Sequence, residues 1–198
     1  MSRLVLASTS PYRRALIERL GLHVETMAPD FDERAAEEAL GPLLTSQLAA
    51  ELALGKARSL AASCPDALII GADQIAEIDG EHLHKPGTPE AAAAQLRRLA
   101  GKTHHLVTAV TVLRASDLRS ETAVDVHALT MRPLSDDAIA RYVARDLPLD
   151  CAGSYKIESL GIALFERTSG DDFTAIVGMP LTILVTLLAR FGVDVLAA

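Results

Sequence analysis

Cysteine, positive charge and long apolar runs are what this chain has least of, and each shortage removes a class of protein. Only Cys64 and Cys151 are present among the 198 residues. They lie far apart and match no metal or redox spacing, which points to free thiols in a reducing compartment rather than a disulfide framework. Against 26 acidic residues stand 19 lysines and arginines, for a net charge of −7. Without a broad basic field the chain does not read as a nucleic-acid binder, and any anion site must be local. The first apolar run, Leu4 to Ala7, is too short for a signal-peptide core. The longest, Gly178 to Ala189, falls well short of a membrane span. A cytoplasmic protein with no membrane partner is therefore expected. There is no internal repeat, low-complexity tail or linker, so residues 1–198 read as one domain, long enough to bury roughly 70% of its unfolded surface.

What the chain does have is concentrated at its start. Leu4-Val5-Leu6-Ala7 reads as a buried strand, and Ser8-Thr9-Ser10-Pro11-Tyr12-Arg13-Arg14 opens a helix directly from it. Ser10 is a good N-cap and Pro11 fits the first helical position. Arg13 and Arg14 then occupy the first turn, where the helix dipole disfavours a cation by up to about 1 kcal/mol and favours an anion as much. Two guanidiniums make sense there if a polyanion sits among them, with the Ser8, Thr9 and Ser10 hydroxyls as further donors. The competing reading is a solvated turn with both arginines in water.

Apolar periods of two and of about three and a half alternate along the chain, as in an α/β protein. Strands are expected at Val24 to Met27 and Ala67 to Ile70, with a helix through Ser46 to Ala62 after a loop containing Pro29 to Glu33. Gly71-Ala72-Asp73 ends the second of these strands. Ile75 to Ile78, Asp79-Gly80 and Glu81 to Leu83 form a hairpin, since Asp-Gly suits a type I′ turn. Thr88-Pro89-Glu90 caps an alanine-rich helix that Gly101 ends. The second half leans toward antiparallel pairing. Strands are expected at Leu106 to Leu113, Thr122 to Leu129, Gly161 to Glu166 and Phe173 to Val177, and helices from Ser135 to about Arg145 and from Pro180 to Phe191. The result is a mixed central sheet flanked by helices, with two lobes around a cleft.

Asp73 at the end of an apolar strand lies where open α/β sheets place their sites, and it could serve as metal ligand or as base toward water. Its bland alternative is a residue capping the next turn. Glu33 offers a second carboxylate from a loop. Lys85 precedes Pro86 and is biased to extended backbone. Lys56, in a helical stretch of Ala and Leu, could simply snorkel from an apolar face. His104 and His105 in one strand point to opposite sides and cannot share a metal. His82 and His84 could share a face, yet lack a third ligand. Cys151 has no histidine base and reads as a small buried residue.

Four separate motifs in order carry a family resemblance: Leu-Ala-Ser-Thr-Ser-Pro-Tyr-Arg-Arg at 6–14, Gly-Ala-Asp-Gln at 71–74, Gly80 with His84-Lys85-Pro86, and Cys-Ala-Gly-Ser-Tyr-Lys-Ile-Glu at 151–158. From residue 3 to about 192 the chain resembles the Maf nucleoside triphosphate pyrophosphatases. Tyr12, Gln74 and Glu158 resemble the 7-methyl-GTP branch, although Tyr12 stands where that branch often has tryptophan. The dTTP/UTP branch usually reads Gly-Ala-Asp-Thr and has glutamine at the position of Glu158. The resemblance implies a fold related to the inosine triphosphate pyrophosphatases, a divalent cation (Mg²⁺ or Mn²⁺), a homodimer and a cytoplasmic location.

The reaction so implied is hydrolysis between the α- and β-phosphates of a nucleotide, which depends on positioning and charge neutralisation. In that scheme Asp73 is the base, Glu33 and Asp73 hold the metal, and Ser8, Ser10, Arg13, Arg14, Lys56 and Lys85 bind phosphate. Tyr12, Gln74 and Glu158 select the base. One carboxylate can accept both N1–H and the N2 amino group of guanine, and methylation at N7 makes the ring cationic, which favours an aromatic face. Hydrolysis of dTTP or UTP is the alternative within the family. A non-enzymatic regulator of septum formation is the alternative outside it; buried-looking charges argue against a scaffold, which need not bear their desolvation.

Overall fold

The computed structural model describes residues 3–197. The chain opens with strand β1 (Arg3–Ala7), helix α1 (Pro11–Glu18) and strand β2 (Glu25–Met27), then helices α2 (Glu33–Leu40) and α3 (Thr45–Ser59). Strands β3 (Ala67–Ile78) and β4 (Glu81–Leu83), helix α4 (Pro89–Leu99) and strands β5 (Thr103–Arg114) and β6 (Ser120–Met131) follow. Helix α5 (Asp136–Asp146), a 3-10 turn (Leu160–Leu164), strand β7 (Phe165–Ser169) and helices α6 (Phe173–Val177) and α7 (Leu181–Arg190) come last. The strands pair in the order β2-β1-β3-β5-β6-β7, with β4 on β3. β1 is parallel to β2 and β3, whereas β3 with β4 and β6 with β7 are antiparallel. The sheet is thus mixed, flanked by helices, and the class is α/β.

Local chemistry explains most element ends. Ser10, Thr88 and Ser135 each accept a hydrogen bond from the backbone N–H of the third residue of the helix they cap. Asp79 and Gly80 both take positive φ, 55° and 77°, the pair a type I′ turn requires. Four expectations are corrected, the first being the strand at Gly161 to Glu166: residues through Leu164 form a 3-10 turn and β7 begins only at Phe165. Glu33 is not in a loop but is the first residue of α2, whose cap is the Asp32 side chain. β3 does not end at Asp73 but runs on to Ile78 as one strand of 12 residues. Phe173 to Val177 is helical, capped by Asp172 and ended by Gly178 at φ 119°; a five-residue apolar run has no periodicity that separates strand from buried helix.

By backbone contacts the described chain divides into two compact units, each assembled from separate stretches. The first comprises the chain through Asp73, residues 108–125 and the chain from Asp172 onward. Here the alternation of strand side chains sorts the core into two layers. Leu4, Leu6, Leu68 and Ile70 pack with Ile17 of α1 and Leu184 and Leu188 of α7. Val5, Ala7, Ala67 and Ile69 pack instead with Ala57 and Leu60, at the end of α3. By the same parity Gly71 and Asp73 face α3. A Cβ on Gly71 would overlap the Ala53 carbonyl oxygen, so only glycine lets α3 lie this close to β3.

The second unit comprises residues 74–107 and 126–171. α4 packs on α5 through faces that bury Leu96, Leu99, Ile139 and Tyr142. Its core holds an aromatic cluster of His104, Tyr155 and Phe165, with His104 Nε2 2.8 Å from the Tyr155 hydroxyl. Among the described residues His104 Nδ1 has no partner. Burial, with His105 adjacent, pushes His104 down to about 4. Protonating it therefore favours the unfolded chain. This contribution is complete above the unfolded value of about 6.5 and is lost as pH falls toward 4, by about 3 kcal/mol in all. Urea unfolding at stepped pH should show that decline, and the His104 ring resonances should stay those of neutral imidazole at pH 5. Titration near 6.5 would contradict it.

Candidate active site

The site residues of the first unit come from the turn after β1 and from α1, α2, α3 and β3. Leaving β1, the chain turns with Ser10 N–H donating to Ser8 Oγ at 3.1 Å, and Ser10 Oγ accepts from Arg13 N–H at 3.4 Å. The two arginines of the first turn diverge, because successive helical residues lie about 100° apart. Arg13 turns inward: its Nε donates to the Gly178 carbonyl at 3.0 Å and a terminal nitrogen lies 3.5 Å from Ser8 Oγ. Burial draws its pKa below the ordinary guanidinium value, while Asp73 and Glu33 draw it back up. A guanidinium stays charged in a protein regardless. Arg14 turns outward and pairs with Glu18 at 2.8 Å on the exposed face of α1, so the structure does not bring it to this group.

Lys56 is the centre of the cluster. In α3 it shares the buried stripe of Ala49, Leu52, Ala53 and Ala57, and it therefore faces β3. Its ammonium lies 2.6 Å from Asp73 Oδ1 and 3.0 Å from Glu33 Oε1. The Lys56 and Asp73 side chains are 6% and 7% exposed, whereas Glu33 is 56% exposed. Lys56 thus ends in a buried ion pair and does not snorkel to water. Among the described residues no group hydrogen-bonds the second carboxylate oxygen of Asp73. Glu33 reaches the cluster because Phe31, two residues earlier, packs its ring on Gly55, where a Cβ would collide with it. The sequence holds no signal for these two close approaches, since neither glycine sits in a turn.

Gln74 follows Asp73 in β3, is half-buried and belongs to the second unit. So does Lys85, exposed in the segment after β4. That segment is tied down through α4: Gln95 donates to the His84 carbonyl at 2.7 Å and accepts from Ser154 at 2.6 Å. Residues 151–158 carry Glu158, which is exposed and forms no ion pair among the described residues. Lys156 lies 3.7 Å from Asp150, and its charge also acts on Glu158. Tyr12, in the first unit, is half-buried. Cys151 has its thiol pushed up to about 12 by burial and by Asp150 beside it, which rules it out as a nucleophile at neutral pH. His104 is buried and His105 exposed, as alternation requires, and no cluster of three metal-ligating residues occurs among the described residues.

Residues 3–191 match the family described as Maf-like protein. The chain belongs to the Maf family. Among curated Maf relatives, a protein of Syntrophotalea carbinolica named 7-methyl-GTP pyrophosphatase is 45% identical, covering 99% of this chain and 98% of its own. A protein of the same name from Aromatoleum aromaticum is 48% identical over 96% of both chains. One from Pseudomonas aeruginosa is 44% identical, over 98% of this chain and all of its own. Among solved structures, the Ham1 protein of Staphylococcus aureus is similar with TM-score 0.51 at 15% identity, covering 95% of this chain and 98% of that one. A HAM1 protein from Coxiella burnetii gives TM-score 0.50 at 14% identity. At such identities the likeness concerns the fold alone. In this Maf chain the Gly178 carbonyl that receives Arg13 leaves no local signal in the sequence, whereas Asp172-x-Thr174 is a capping signal that the apolar run 173–177 hides by resembling a strand.

Proposed function

We propose that this Maf-family chain hydrolyses 7-methyl-GTP to 7-methyl-GMP and pyrophosphate. The observation that carries the reading is the convergence of two carboxylates on one buried ammonium, Asp73 at 2.6 Å and Glu33 at 3.0 Å from Lys56, with the inward Arg13 close enough to feel both carboxylates. The substrate is that for which the relatives are named. Arg13, Lys56 and the Ser8 and Ser10 hydroxyls supply donors for phosphate oxygens, so charge that develops on them meets fixed partners. The unengaged oxygen of Asp73 is placed to accept a proton from water as that water attacks phosphorus, while pyrophosphate leaves. Lys56 fixes the direction of Asp73 and Glu33 by bonding one oxygen of each.

A divalent cation forms part of the proposal. Two carboxylates suit Mg²⁺ or Mn²⁺, which are held by one or two carboxylates together with substrate phosphates and waters; among the described residues no group of three ligating side chains occurs. Asp73 and Glu33 would hold it, and it would supply neutralisation of phosphate charge. A homodimer and a cytoplasmic site of action belong to the same reading; gel filtration tests the first. No helix among the described residues is long and apolar enough to cross a membrane.

Pyrophosphate release from a panel containing 7-methyl-GTP, GTP, UTP and dTTP tests the proposal, with the highest kcat/KM expected for 7-methyl-GTP. Glu158 forms no ion pair among the described residues, although the Lys156 charge reaches it, and its carboxylate can accept N1–H and the N2 amino group of the base. Glu158→Gln should lower the preference for 7-methyl-GTP over UTP about tenfold, the loss of about 1.4 kcal/mol of discrimination. A wild-type preference for UTP or dTTP would move the chain to the sister branch.

A further inference from the structure

We propose that Asp172 is a positioning residue for Arg13, acting through the backbone of the turn that carries Gly178; the inference rests on the phosphate-binding role given to Arg13 above. Asp172 is 6% exposed, and its hydrogen bonds among the described residues go to Thr174 and Thr182. One of its oxygens accepts from both the backbone N–H and the hydroxyl of Thr174. The other accepts from the backbone N–H and the hydroxyl of Thr182, each at 2.8 Å. Burial pushes its carboxyl up, the bonds from Thr174 and Thr182 outweigh that, and the net shift is downward. Thr174 Oγ1 in turn accepts from Leu181 N–H at 2.9 Å. One carboxylate thus clamps the start of α6 to the start of α7.

What lies between the clamped ends is the Gly178 corner. Gly178 and Met179 N–H both bond back to the Thr174 carbonyl at 3.2 Å, and Thr108 holds the Ala175 carbonyl at 3.0 Å from β5. These bonds set the corner's backbone so that the Gly178 carbonyl, at φ 119°, points at Arg13 Nε from 3.0 Å. A Cβ at Gly178 would sit 3.6 Å from Arg13 Nε, in contact with the side chain it receives. A carbonyl on Nε fixes the plane of the guanidinium and leaves the fork of terminal nitrogens as the end that can face phosphate. Of Arg13's two side-chain hydrogen bonds among the described residues, that to Gly178 at 3.0 Å fixes the plane more closely than that to Ser8 Oγ at 3.5 Å.

The test compares wild type, Asp172→Ala, Arg13→Ala and the double variant, with Thr182→Val as a milder probe of the same clamp. The Arg13 Nε–H resonance, assigned by its loss in Arg13→Ala, should be protected from exchange in wild type. It should exchange faster in Asp172→Ala and move in the same direction in Thr182→Val. KM for 7-methyl-GTP should rise about tenfold in Asp172→Ala, and Asp172→Ala should add nothing in the Arg13→Ala background. An unchanged Nε–H in both Thr182→Val and Asp172→Ala, or effects on KM that multiply in the double variant, would overturn the proposal. If Asp172→Ala does not fold, Thr182→Val alone decides it by the same two measurements. Absence of 7-methyl-GTP turnover by wild type would sink the functional reading separately, because the exchange of the Nε–H is measured without substrate.

Discussion

Asp73→Asn should lose turnover by about 10² to 10⁴-fold while remaining folded. The amide keeps the shape of the carboxylate and an oxygen for the Lys56 ammonium, which lies 2.6 Å from Oδ1, so the junction of α3 and β3 survives. What disappears is the second anionic oxygen, the one no described group engages. An amide nitrogen there cannot take a proton from water and cannot ligate a cation. Steady-state pyrophosphate release on 7-methyl-GTP measures the effect, with circular dichroism and a thermal melt to establish folding. A folded Asp73→Asn protein with near-wild-type release would remove Asp73 from the chemistry.

Lys56→Met should cost about 3–5 kcal/mol of stability, a large share of the roughly 5–15 kcal/mol typical of a domain. Methionine fills the same volume, so the cost is electrostatic: Asp73, 7% exposed, is left as an uncompensated buried charge. Glu33 contributes little to this, because at 56% exposed its charge stays hydrated. The diagnostic measurement is the double variant Lys56→Met with Asp73→Asn, which removes both charges and should regain much of the loss. Urea unfolding at pH 7 gives all three values. Additive losses would mean that the pair is not the reason for the cost. Activity should fall in Lys56→Met as well, since both carboxylates lose the group that orients them.

Legibility from sequence followed the range of the forces involved. Ser10, Thr88 and Ser135 announced helices because a cap is a bond between residues three apart, and Asp79-Gly80 announced a hairpin because positive φ is a property of two residues. The first turn carrying Arg13 and Arg14 was visible for the same reason. Which arginine turns inward was not, because that depends on the Gly178 carbonyl, 165 residues further along. Glu33 was misplaced into a loop because α2 buries none of its residues and so shows no core-facing stripe. β3 was cut short at Asp73 because a charge in mid-strand looks like an end until the facing ammonium is known.

The alternating elements and their caps, the burial of β1 and β3, and the residue types from which a phosphate and carboxylate site could be made are all legible in the residues themselves, as are the motifs by which the Maf family is identified. The meeting of Lys56, Asp73 and Glu33 arises only on folding. That meeting requires α3 to lie against Gly71 and Phe31 to lie against Gly55, and such approaches depend on the absence of a side chain at two positions and on the packing of elements distant in the chain. Hydrogen bonds between near neighbours leave a local pattern in the residues; an ammonium shared by two carboxylates from different elements exists only once the layers have closed over it.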